Sequence, residues 1–70
     1  MAANQNPETI KMLDNALMIL DALRVGSKKL GVNEIAKQCG INPSTAFRIL
    51  KTLEVNGWVF QCGDGKYISG

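Results

Sequence analysis

Residues 40–50 read GINPSTAFRIL, a run that crowds two hydroxyls, an aromatic ring and a guanidinium into less than two helical turns. Ser44 and Thr45 are short donors. At the first turn of a helix they lie beside backbone N–H groups that have no helical partner, a combination that suits a phosphate oxygen. Arg48, one turn further on, carries a planar fork of donors whose spacing matches O6 and N7 of guanine. Phe47 can meet a thymine methyl or pack partly inward, and both readings stay open. Lys51 lies a turn beyond, and Lys66 stands in a later segment as a second, isolated source of positive charge. Taken one at a time, each of these residues is ordinary solvated surface. Together, at this spacing, they are candidate contacts to double-stranded DNA.

That chemistry needs a helix start at residue 43, and the sequence supplies one. Asn42 is a strong N-cap, and Pro43 suits the first helical position, where its missing N–H removes no helical bond. Ala46, Ile49, Leu50 and Leu53 then fall on one face. At about 100° per residue, Ser44, Arg48, Lys51 and Val55 point the other way, with Thr45, Phe47 and Thr52 beside them. Asn56-Gly57 ends the helix. Upstream, a helix starting near Gly31, with Glu34 favouring its positive end, turns Ile35, Ala36 and Cys39 inward. Gly40 can end it in the left-handed conformation, and Ile41 plugs the turn. Small Ala36 and Ala46 let the two helices cross closely, so residues 31–56 form a helix-turn-helix with 43–56 as the recognition helix.

The flanking segments complete the unit. Thr9 is read as the cap of a first helix that stops at Gly26. Apolar residues at 10, 13, 16, 17, 20 and 23 form its inward stripe, which leaves Met12, Met18 and Ile19 at the margin as a candidate dimer contact. Residues 27–30 link the helices, bury Leu30 and offer a short strand. After Gly57 the period changes: WVFQC and KYIS are β-prone and GDG is a turn signal, so residues 58–69 form a hairpin wing. Trp58, Val59 and Tyr67 are expected to cover the helices, and the directions of Phe60 and Ile68 are left open. The expected fold is mostly α with a small β-hairpin, a winged helix-turn-helix of three helices and a two- or three-stranded wing sheet over residues 9–70. Residues 1–8, without periodicity and containing Pro7, are expected to be a flexible leader.

Composition narrows the function. Seventy residues make one small domain, and no apolar run approaches the roughly 20 residues needed to cross a bilayer. The N-terminus lacks a signal-peptide pattern, so the expected location is the cytoplasm, with no membrane partner. Cys39 and Cys62 are far apart and there is no histidine, which removes the usual zinc spacings and the commonest acid/base residue. No metal site, no cofactor and no enzyme are expected. Residues 1–26 carry Lys11 and Arg24 against three acids, whereas residues 27–70 carry six cations against Glu34, Glu54 and Asp64. The excess positive charge lies in the segment that holds the candidate contacts. The alternative from another class is a winged-helix protein–protein interaction module, which would need a neutral or covered surface around Ser44, Arg48 and Lys51.

The segments ALMILDAL, LGVNEIAKQCGINPSTAFRILKTLEVNGWV and GDGKY resemble the N-terminal winged helix-turn-helix domain of the IclR family of bacterial transcriptional regulators. The most specific stretches are ST-x-x-R-x-L-x-x-L at residues 44–53 and GWV…GDGKY at residues 57–67. The resemblance covers about residues 10–70. It implies sequence-specific binding to a palindromic operator, with Ser44, Thr45 and Arg48 on the DNA-facing helix and Lys66 at the wing. It also implies assembly as dimers or tetramers through a C-terminal region not present in this chain, and a small-molecule effector bound only by that absent domain; with the candidate contact on helix one, the expected partner is a second copy in a homodimer. The sequence departs from the family pattern at Gly31, at Asn42-Pro43, and at Phe60 and Ile68 in the wing.

Overall fold

The computed structural model describes residues 8–26 and 29–70. Most of the expected leader, residues 1–7, lies outside the described residues, as do Ser27 and Lys28 of the first link. Three helices come first, α1 (Lys11–Gly26), α2 (Val32–Cys39) and α3 (Pro43–Val55). They are followed by β1 (Val59–Gln61) and β2 (Tyr67–Ser69). This is a winged helix-turn-helix.

The turn between α2 and α3 is set by its local chemistry. The Gly31 backbone N–H donates to Glu34 Oε1 at 2.8 Å, so the glutamate satisfies an otherwise unpaired group at the start of α2. Gly40 sits at φ 68° and ends α2 with its N–H near the last carbonyls. A side chain there would meet no atom but would strain the left-handed backbone. Ile41 then donates its N–H to the Ala36 carbonyl at 3.0 Å and starts the turn half-buried. Asn42 caps α3 by accepting the Ser44 N–H at 3.0 Å.

The hydrophobic core gathers one or more residues from every element. Ile19 and Leu23 come from α1, Leu30 from the link, and Ile35 and Ala36 from α2. Ala46, Ile49 and Leu50 come from α3, and Val59 and Tyr67 from the wing. Ala46 and Ile35 have no exposed surface, consistent with a close crossing of the two helices. Strands β1 and β2 pair antiparallel, with Val59 opposite Ser69 and Phe60 opposite Ile68. Leu30 joins this sheet by a single bridge: its N–H reaches the Tyr67 carbonyl at 3.1 Å, and the Tyr67 N–H returns to the Leu30 carbonyl at 2.8 Å. The wing is therefore two strands with a third reduced to one residue. That bridge ties the wing to the segment between α1 and α2.

Three expectations fail. Along α1 the expected stripe holds at Ala16, Leu20 and Leu23, which pack inward, but fails at Leu13 and Leu17 and at Ile10 just before the helix, which are exposed, whereas Ile19, assigned to the margin, is wholly buried. Two apolar stripes run along this helix, 10/13/17 and 12/16/19/23, and both have helical spacing. Packing against α2, α3 and β2, rather than periodicity, selects the second. Trp58 is 60% exposed instead of covering the helices. Strand alternation explains it: with Val59 turned inward, its neighbours Trp58 and Phe60 must turn out. Finally, α1 begins at Lys11, with the Asp14 N–H donating to the Ile10 carbonyl at 2.9 Å. Thr9 lies one position before the cap and donates its hydroxyl to Asp14 Oδ2 at 2.7 Å.

Candidate nucleic-acid interface

Helix α3 turns its buried face, Ala46, Ile49 and Leu50, toward the core, which leaves Ser44, Phe47, Arg48 and Lys51 exposed. Ser44 and Arg48 lie one turn apart on the most outward line. Thr45 is half-buried at one flank of this surface. The polar groups at the helix start are already engaged: the Ser44 hydroxyl donates to Asn42 Oδ1 at 2.8 Å, the same oxygen that accepts the Ser44 N–H. The asparagine thus fixes the position of the serine, whose oxygen stays exposed as an acceptor and whose hydroxyl can rotate to an incoming phosphate.

Arg48 forms no ion pair among the described residues, so its guanidinium is uncompensated at the centre of this face. Its carbonyl accepts the Thr52 hydroxyl at 3.0 Å, a bond that turns Thr52 back onto the helix. Lys51 is held differently. Its ammonium lies 3.4 Å from Glu54 Oε1 and 6.0 Å from the centre of the Phe47 ring. The expected contact residues on α3 therefore share one surface, and of its two cations Lys51 is paired whereas Arg48 has no ion pair among the described residues.

Lys66 occupies a different element, the last residue before β2. The turn that presents it closes with the Cys62 N–H on the Lys66 carbonyl at 2.7 Å and the Gly65 N–H on the Cys62 carbonyl at 3.0 Å. Gly65 supplies the positive φ of 87° that this turn requires. Asp64 organises the rest. Its Oδ1 accepts the Lys66 backbone N–H at 3.1 Å, and its Oδ2 pairs with Lys29 Nζ at 3.1 Å. The first of these bonds, and then the lysine, hold the Asp64 carboxyl below its ordinary pKa, while the Lys29 ammonium is pushed up by the same pair. The Lys66 side chain is exposed. Burial raises the Cys39 thiol, so it stays protonated, and Cys39 and Cys62 are both free. No group of metal-ligating side chains occurs among the described residues.

Sequence reasoning missed two features of this surface. The Lys29–Asp64 pair joins residues 35 apart, for which no local spacing gives a signal. The Lys51–Glu54 pair has i,i+3 spacing and was legible in principle. A third feature follows from the rotated α1 stripe. An apolar groove of about 430 Å³ opens between α1 and α3, walled by Ile10, Met12, Leu13, Ala16, Ile49 and Leu53, with Arg48 and Thr52 at its polar edge.

A helix-turn-helix with a paired wing and an exposed arginine on its second helix is the architecture of DNA-binding regulators. Residues 12–62 match the model of the IclR helix-turn-helix domain. The chain belongs to the IclR family, whose members are transcriptional regulators rather than enzymes. It is 36% identical over 62 residues to the HTH-type transcriptional regulator XynR of Escherichia coli K12, covering 87% of this chain and 25% of that protein. It is 37% identical over 62 residues to the glycerol operon regulatory protein of Streptomyces coelicolor, covering 87% of this chain and 24% of that one. A crystal structure of an IclR transcriptional regulator from Alicyclobacillus acidocaldarius superposes with a TM-score of 0.82 at 28% identity, over 89% of this chain and 26% of that one. The chain thus spans about a quarter of the length of these relatives. No described helix is long and apolar enough to cross a membrane.

Proposed function

We propose that this chain binds double-stranded DNA in a sequence-dependent way, with α3 in the major groove. Ser44 and Thr45 engage phosphate at the helix N-terminus, where partial positive charge collects. Arg48 reads a guanine edge, and Phe47 and Lys51 lie along the same groove. Lys66, presented by the wing turn, meets the backbone beside it. The observation that carries this reading is Arg48, exposed on the outward face of α3 and without an ion pair among the described residues. The charge of Arg48 makes this surface basic rather than neutral, which favours DNA over a purely protein-binding winged helix.

The half-site reading extends to assembly. One domain makes few phosphate contacts, so its affinity for a single half-site is weak at physiological salt. A homodimer on a palindromic operator adds a second half-site about one helical turn away. The exposed stripe of α1 supports that contact through Ile10, Leu13 and Leu17. Of Met12, Met18 and Ile19, the residues expected to make it, Met12 is exposed, Met18 is half-buried and Ile19 is in the core. In a protein of the relatives' length, further dimer contacts and an effector site belong to the region beyond this domain, and the working compartment is the cytoplasm. Selection of bound sequences from a random duplex pool tests the reading. Recovery of an enriched motif with a guanine whose replacement weakens binding supports it, and recovery of unenriched DNA refutes it.

A further inference from the structure

Phe47 is an anomaly on the polar side of α3. Its ring is 47% exposed and takes no part in the core cluster, although a partly buried packing role was one of its two sequence readings. Its neighbour Lys51 has the opposite problem. A phosphate-binding lysine should be free, yet this ammonium is committed to Glu54 Oε1 at 3.4 Å while it lies over the Phe47 ring at 6.0 Å. Glu54 is the more buried partner, its side chain 30% exposed against 51% for Lys51, so it is the anchor of the pair. The three residues therefore make one unit: a carboxylate paired with an ammonium, and the ammonium over an aromatic face. Phe47 remains partly exposed on the same helix surface as Ser44 and Arg48.

We infer that Phe47 reads the 5-methyl group of a thymine in the major groove, and that Lys51 and Glu54 position the ring rather than bind DNA themselves. The inference rests on α3 entering the major groove, where the thymine methyl is the apolar feature that an exposed ring can recognise and a cation cannot. Holding the ring in one orientation before binding removes side-chain freedom that would otherwise be lost on contact. A negative charge at Glu54 also penalises close approach of Lys51 to phosphate, because leaving the pair exposes the carboxylate to the DNA backbone. The helix thus sets an arginine for guanine beside a ring for thymine, adjacent in sequence and about 100° apart round the helix axis.

The test uses the 70-residue chain and a duplex recovered from the random pool, with each thymine replaced in turn by deoxyuridine, which removes the methyl and nothing else. One replacement should weaken binding about fourfold, the worth of one buried methyl-sized group. In Phe47→Ala the same replacement should have no effect, while Phe47→Leu should keep part of it. Lys51→Met retains the stem without the charge. It should lower the thymine preference and leave the log–log salt slope shallower by well under one unit, whereas loss of a phosphate contact costs roughly one. If no thymine is sensitive, or if Phe47→Ala remains as sensitive as the parent, the ring does not read a methyl. If Lys51→Met costs a full unit of slope and leaves the thymine preference intact, Lys51 is a phosphate contact and not a brace. Failure to recover any preferred duplex would instead overturn the placement of α3 itself, a separate result from either of these.

Discussion

Arg48→Ala separates base reading from backbone binding. The side chain is exposed and free of ion pairs among the described residues, so its removal leaves no buried charge behind. Alanine is the better helix former, and the only packing lost is that of the arginine stem at the edge of the α1–α3 groove. The folded state should change by no more than about 0.5 kcal/mol, as for other surface substitutions. Binding should change far more. A bidentate contact to guanine contributes about 1–3 kcal/mol of discrimination, which is roughly a 5- to 150-fold loss on the preferred duplex. A scrambled duplex, bound through phosphates alone, should lose much less. Arg48→Lys sharpens the comparison: it keeps the charge and loses the fork, so it should restore affinity for scrambled DNA without restoring the preference. Fluorescence anisotropy on matched and scrambled duplexes at several salt concentrations measures both quantities, and thermal unfolding followed by circular dichroism checks the fold. Equal losses on the two duplexes would refute Arg48 as the base reader and make it another backbone contact.

Further tests follow from the wing and the helix turn. Lys66→Ala should weaken binding to all duplexes alike and make the log–log salt slope shallower by about one unit, measured by the same titrations; an unchanged slope would remove the wing lysine from the interface. Asp64 is held below its ordinary pKa, so its contribution to the wing is present above that value and lost as pH falls through the depressed one, whereas the Lys29 contribution is present at neutral pH and lost only as alkali titrates its raised ammonium. Carboxyl chemical shifts should report an Asp64 midpoint below that of ordinary aspartate, and Lys29→Met should raise it only part of the way, because the Lys66 N–H still donates; a native midpoint at the ordinary value would refute the pair. Asn42→Ala removes the cap of α3 and should cost about 1 kcal/mol in chemical unfolding, and a loss below the error of that measurement would show that the cap is dispensable.

What the sequence disclosed, and what it withheld, divides along a physical line. The turn between α2 and α3 was legible because each of its determinants is local: a glycine that tolerates φ 68°, an asparagine that accepts an N–H two residues on, and a proline that suits the next position. The face of α3 was legible too, because only one apolar stripe runs along it. On α1 two stripes compete, and the choice between Leu17 and Ile19 depends on partners from α2, α3 and β2 that no local pattern records. The same holds for Trp58, whose size suggests a core role while alternation around Val59 assigns it to the surface.

The candidate interface repeats the division. Ser44, Arg48 and Lys51 were placed together by helical geometry alone, and the structure keeps them on one surface. Their electrical state was legible only in part: i,i+3 spacing allows the Lys51–Glu54 pair, but whether it forms depends on the rotamers of both side chains. Lys51 is engaged by Glu54 and Arg48 is not, although both are cations on the outward face of the same helix. That asymmetry matters for specificity. An interface in which every cation were free would bind phosphates strongly and discriminate little, because backbone charge contacts carry no sequence information. If α3 enters the groove as proposed, the Lys51–Glu54 pair would lower that undirected attraction and leave the Arg48 guanidinium as the cation of α3 without an ion pair among the described residues. On the proposed reading, affinity and discrimination fall to different elements: α3 would carry the contacts that read bases, and the wing, which Leu30 and Lys29 tie back to the α1–α2 link, would carry an undirected one through Lys66.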